Sequence, residues 1–134
     1  MRLLDASVWA AAFDPADRFH VPARSILLDV DHPLAALDLT LYEIANVLGV
    51  KMRLPDQARD IAQLIVDRCG SSLVKVDPSS LASACRLARE HGLTAYDAAY
   101  VAAADRHGWQ LISLDIRDLV SKGLAVTPDA ADYP

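Results

Sequence analysis

The chain has 134 residues, 53% of them hydrophobic, and 13 Lys and Arg against 18 Asp and Glu give it a net charge of −5. That size and apolar content suffice for one globular domain over residues 1–134 that needs neither disulfides nor a structural metal. The charge excludes a protein that grips nucleic acid through a broad basic footprint alone. The short apolar runs, broken at Asp5 before a leader-peptide core can build, leave no candidate membrane span and point to a cytoplasmic protein.

In chain order, Arg2-Leu3-Leu4 predicts a strand that runs through Asp5-Ala6-Ser7 into a helix over Val8 to Phe13. A second helix is predicted from about Pro22 to Val30, then a short buried strand over Leu34 to Leu39. Thr40 is positioned to cap the next helix, whose Leu41, Ile44, Ala45 and Leu48 repeat at core spacing up to about Lys51. Pro55-Asp56 opens another helix that Gly70 stops after Cys69. Leu73 to Val76 predicts a third strand, and Asp77-Pro78-Ser79-Ser80 starts a helix reaching His91-Gly92. Thr94 to His107 forms an Ala-rich helix ended by Gly108, Gln110 to Ser113 a fourth strand, and Ala125-Val126-Thr127 a short fifth one. Strands and helices alternating in this way predict an α/β domain whose mostly parallel sheet of four to five strands is covered on both faces.

Cys69 and Cys85 fall inside helical apolar patterns without paired metal-ligand spacing, which predicts reduced, buried thiols. His20, His32, His91 and His107 form no i, i+4 pair, so a bound metal should have oxygen ligands. Several acids stand where surface acids do not belong. Glu43 is one of only two Glu in the chain and sits among Leu41, Tyr42, Ile44 and Ala45; Asn46, three residues on, shares its helical face and can orient it. Asp97 is the one charged residue between Thr94 and Ala104, although pairing with Thr94 as a helix cap also accounts for its position. Asp5 and Asp115 each follow a strand, where an Asp can cap the next helix but where open parallel sheets also place their ligands. If the four share a rim, their mutual repulsion calls for a cation, and oxygen ligands match Mg²⁺ or Mn²⁺ in a site suited to phosphodiester hydrolysis. With those four acids set aside, the remaining charges nearly balance, and ten of the 13 basic residues are Arg, whose planar fork suits phosphate.

These segments resemble the four motifs of the PIN domain, and in particular the VapC-type toxins: Leu3 to Trp9 with Asp5, Leu41 to Leu48 with Glu43 and Asn46, Thr94 to Tyr100 with Asp97, and Leu111 to Asp115. The resemblance covers nearly the whole chain. It implies a three-layer α/β/α fold, a homodimer, Mg²⁺- or Mn²⁺-dependent endoribonuclease activity on an RNA substrate, and inhibition by a cognate VapB-type antitoxin. It assigns metal binding and orientation of the attacking water to Asp5, Glu43, Asp97 and Asp115, with Ser7 and Ser113 in support. Asp118 is read as a surface or capping residue in preference to a fifth ligand, and Asp129 and Asp132 as solvent-exposed. Arg53, Arg59, Arg86, Arg89 and Arg117 are candidate phosphate contacts. Two other readings are a non-catalytic RNA-binding scaffold of the same fold and a receiver-like phosphoacceptor module. The second fits poorly, because Asp5 lacks an adjacent acid and Lys75 falls in the third strand instead of after a late one.

Overall fold

The computed structural model describes residues 1–131; Asp132 lies outside them. Four strands, β1 (Arg2–Leu4), β2 (Leu34–Leu37), β3 (Leu73–Val74) and β4 (Gln110–Ile112), form one sheet in the order β3-β2-β1-β4. Every pairing is parallel, with Leu3 opposite Ala35 on one side and Leu111 on the other. The helices are α1 (Ala6–Ala11), α2 (His20–Leu28), α3 (Asp38–Ile44), α4 (Pro55–Cys69), α5 (Pro78–His91) and α6 (Ala95–His107). Side chains alternate across a strand, and the alternation divides the core in two. Leu4, Leu34, Ala36 and Ile112 pack with Val8 and Trp9 of α1, Ile26 of α2, Ile44 of α3, and Ile61 and Ile65 of α4. Leu3, Ala35, Leu37 and Leu111 pack with Tyr100, Val101 and Ala104 of α6 on the other face. Helices on both faces of a parallel sheet make the three-layer α/β/α architecture, which is why the strands lack any polar-out alternation.

Local differences from the sequence expectation have local causes. β2 ends at Leu37 because Asp38 already opens α3, where an acid suits the first turn. Thr40 is therefore inside the helix, and its Oγ1 accepts the Leu37 backbone N–H at 3.2 Å. Beyond Ile44 the helix changes to π winding over Ala45–Lys51. Residues 125–127 make a single parallel bridge, Val126 to Ile112, instead of a fifth strand. A turn at Gly123 and a 3₁₀ turn starting at Pro128 leave no room for more. Cys69 is buried as expected, but Cys85 is exposed on α5. No helix among the described residues is long and apolar enough to cross a membrane.

Candidate metal centre

The strand order puts β2 and β3 on one side of β1 and β4 on the other, so the connections leaving β1 and β4 diverge. Open parallel sheets leave a crevice at such a point, outside the carboxyl ends of the strands. Asp5 directly follows β1, and Ser113 and Asp115 follow β4. Asp5 caps α1, its Oδ1 accepting from the backbone N–H groups of Ser7 at 3.0 Å and Val8 at 3.3 Å. The Ser7 hydroxyl also donates to Oδ1, and the Ser113 hydroxyl to Oδ2. These two serines tie the ends of β1 and β4 together, since Ser7 Oγ accepts from Leu114 N and Ser113 Oγ from Asp115 N, both at 3.0 Å. Asp5 is 8% exposed, and burial pushes its carboxyl above the ordinary value against the pull of these donors.

Asp97 reaches the same crevice by a different route from that of Glu43. Glu43 lies on α3, which starts where β2 stops, whereas α6 follows α5 and runs back antiparallel into β4. The Thr94 hydroxyl caps α6 by accepting the Asp97 N–H at 3.1 Å, so the capping reading of this segment holds, with Thr94 as the cap. Burial raises the Asp97 carboxyl, and the nearby charges of Asp115 and Asp118 raise it further. Burial likewise raises Glu43, as do the charges of Asp5 and Asp97, while a hydrogen bond from Tyr100 opposes them.

The tightest group is one the sequence reading divided. Carboxylate oxygens of Asp97, Asp115 and Asp118 lie within 4.8 Å of one another. Asp115 caps the helical turn Ile116–Val120 by accepting the Asp118 N–H at 2.9 Å. Asp118, read as a surface or capping residue, is partly exposed, and its carboxylate lies beside those of Asp97 and Asp115. Asn46 and Tyr100 also differ from expectation. Asn46 is exposed, at the start of the π segment that follows α3. The hydrogen bond to Glu43 comes instead from Tyr100, at 2.7 Å from Oε1. Tyr100 was hidden in an Ala-rich helix, and its one signal was its place three residues after Asp97, on the same face.

Oxygen ligands alone suit a hard cation. At the 2.0–2.1 Å bond lengths of Mg²⁺, opposite ligands stand roughly 4 Å apart, within the 4.8 Å that bounds the Asp97, Asp115 and Asp118 oxygens. Among the described residues no ion pair involves Asp5, Glu43, Asp97 or Asp115; Asp118 alone has basic neighbours, Arg117 and Lys122, each at 4.0 Å. The five arginines considered as phosphate contacts are all exposed, Arg59 being paired with Asp56 and Asp60. Asp129 is exposed as expected.

Residues 2–121 match the family model described as PIN domain. Ribonuclease VapC3 of Pyrobaculum aerophilum is 36% identical over 131 residues, covering 94% of this chain and 98% of the relative. Among solved structures, a toxin–antitoxin complex from Klebsiella pneumoniae superposes with a TM-score of 0.71 at 21% identity, over 96% of this chain and 98% of the other. FitAcB from Neisseria gonorrhoeae gives 0.72 at 19% identity, over 98% and 100%. With the motif order, the sheet topology and these matches in agreement, the chain belongs to the PIN-domain family and, within it, to the VapC-type proteins.

Proposed function

We propose that this protein is a divalent-metal-dependent endoribonuclease that acts as the toxin of a toxin–antitoxin pair in the cytoplasm. The observation that carries the reading is the cluster of Asp97, Asp115 and Asp118 carboxylates, with Asp97 close enough to Glu43, and Glu43 to Asp5, for their charges to act on one another, and without, among the described residues, a basic residue paired to Asp5, Glu43, Asp97 or Asp115. Asp5, Glu43, Asp97 and Asp115 hold Mg²⁺ or Mn²⁺, and Asp118 joins them. When bound, the ion supplies positive charge to the phosphate and acidifies water. The residues of the chain supply the rest: Ser7 and Ser113 hold both oxygens of Asp5 in one orientation, and the acids on either side of the crevice align a water for attack on the phosphorus of an RNA phosphodiester. The name of the Pyrobaculum relative, a ribonuclease, supports RNA as substrate.

The partner is a VapB-type antitoxin, a choice supported by the toxin–antitoxin complex among the similar structures. An uncompensated acidic crevice attracts a basic side chain, so an Arg or Lys of the antitoxin occupies it in place of the ion. The active form is a homodimer.

Purified antitoxin-free protein should cleave single-stranded or looped RNA with Mg²⁺ or Mn²⁺ and stop when EDTA is added. Asp97→Asn should remove cleavage while keeping the fold, as read by circular dichroism. Cleavage that survives full chelation would sink the metal mechanism, and RNA binding without cleavage under all metal conditions would favour the non-catalytic scaffold.

A further inference from the structure

Tyr100 is 2% exposed and its ring packs among Leu3, Leu37, Leu111 and Leu119 in the core beneath β1 and β4. A buried phenol needs a partner for its hydroxyl, and here it has two. The Tyr100 hydroxyl lies 2.7 Å from Thr40 Oγ1 and 2.7 Å from Glu43 Oε1, and Thr40, itself fully buried, accepts the Leu37 N–H at 3.2 Å. Donor counting fixes the direction of this relay. The backbone N–H of Leu37 can only donate, so Thr40 Oγ1 accepts it. An ionised carboxylate can only accept, so Tyr100 donates to Glu43. The remaining proton, on Thr40, then points to the Tyr100 oxygen. Each link has one assignment, and the series runs one way from the last residue of β2 to Glu43.

The consequence is positional. Glu43 is a long side chain with rotamer freedom to lose, and it shares the crevice with like charges that push it away. The relay occupies Oε1 and leaves Oε2 with no donor in the series. Asp5 is held differently, by Ser7 at Oδ1 and Ser113 at Oδ2. We propose that Tyr100, anchored by Thr40, is a positioning residue that fixes Glu43 for cation binding, so that the phenol hydroxyl, and not only the packing of its ring, sets the affinity of the site. This rests on the metal-site reading above.

The test is Mn²⁺ titration of the full chain, with free ion read by its electron paramagnetic resonance signal, for wild type, Asp97→Asn, Glu43→Gln, Tyr100→Phe, Thr40→Val and the Tyr100→Phe/Glu43→Gln pair. Loss of an outer hydrogen bond to a metal ligand weakens binding on the order of 10- to 100-fold, and Tyr100→Phe should do so with an unchanged circular dichroism spectrum. Thr40→Val should weaken binding by a smaller factor, because Tyr100 still reaches Glu43. Adding Tyr100→Phe to Glu43→Gln should change nothing further. Wild-type affinity in Tyr100→Phe overturns the positioning role, as does an equal loss in the presence and absence of Glu43→Gln. If Tyr100→Phe fails to fold, wild-type affinity in Thr40→Val overturns the relay. Asp97→Asn weakening Mn²⁺ binding while both relay variants stay silent leaves the metal site standing and removes only the relay; no Mn²⁺ binding by wild type removes both.

Discussion

Burial holds Asp5, Glu43 and Asp97 above ordinary carboxylate values, with like charges adding to it at Glu43 and Asp97, and each therefore binds its proton more tightly in the folded chain than in the unfolded one. Stability then falls as pH rises from the unfolded value of about 4 through the raised folded value, and the loss persists at neutral pH. Asp29 and Asp77 act in the opposite sense. Burial pushes Asp29 up, but His32, Arg2 and the Asp31 N–H together outweigh it, while the Ser80 N–H and Ser79 hydroxyl lower Asp77. Their contribution is present above the unfolded value and is lost on acidification. A wild-type melting curve mixes both signs, so the informative quantity is a difference. In metal-free buffer, the melting temperature of Glu43→Gln minus that of wild type should grow as pH rises from about 4 to about 7, because the variant keeps an acceptor for Tyr100 and removes the charge. A difference that stays flat or shrinks would show that Glu43 carries no electrostatic penalty. The same substitution should reduce the stabilisation by Mn²⁺, which for wild type is roughly 2.7 kcal/mol at a hundredfold excess over Kd.

The helices carry much of their own punctuation. α5 and α6 end at Gly92 and Gly108, with φ of 67° and 66°, and a Cβ at Gly92 would meet nothing within 4 Å. Gly92→Ala therefore isolates backbone strain from crowding. It should cost about 1–2 kcal/mol, read as a lower midpoint in urea with an unchanged slope, and leave cation affinity intact. Such caps were legible in the sequence because Gly, Pro and Asp act on their own neighbours. So were Asp5 and Asp115, since their placement follows from strand ends and parallel topology. What could not be read depends on contacts between distant segments. The hydroxyl that meets Glu43 comes from 57 residues away, and Asp118 nears Asp97 only through the packing of the turn after β4 against the start of α6. The π winding after Ile44 was equally silent, because Leu48 stays buried in either geometry. That winding makes its own prediction: with Asn46 exposed, Asn46→Ala should bind Mn²⁺ as wild type does. A tenfold loss would restore Asn46 to the site and argue that Glu43 has a second orienting partner.

An apolar groove among the described residues fits the proposed homodimer. Tyr42, Val76, Leu81 and Tyr96 are 82%, 56%, 52% and 64% exposed, and all line one groove formed by the ends of β2 and β3 with α5 and α6. Contiguous apolar surface rimmed by polar groups marks an interaction site. Tyr42 and Tyr96 stand one residue before Glu43 and Asp97, so the groove is built on the helices that carry those two acids. Two copies joined across it by a two-fold axis would set their crevices on either side of one cleft, where a single RNA strand can meet both. In a two-fold interface every residue of the patch is used twice, and a charge placed there opposes its own copy as well as losing apolar burial. Leu81 is the better site for that charge, since it lies on α5, half-exposed and away from the acids. Wild type should elute with twice the 14.5 kDa chain mass by size exclusion with light scattering, and Leu81→Asp with the mass of one chain and an unchanged circular dichroism spectrum. A monomeric wild type ends the dimer reading. A Leu81→Asp protein that stays dimeric places the interface elsewhere, and the two crevices then need not share a substrate.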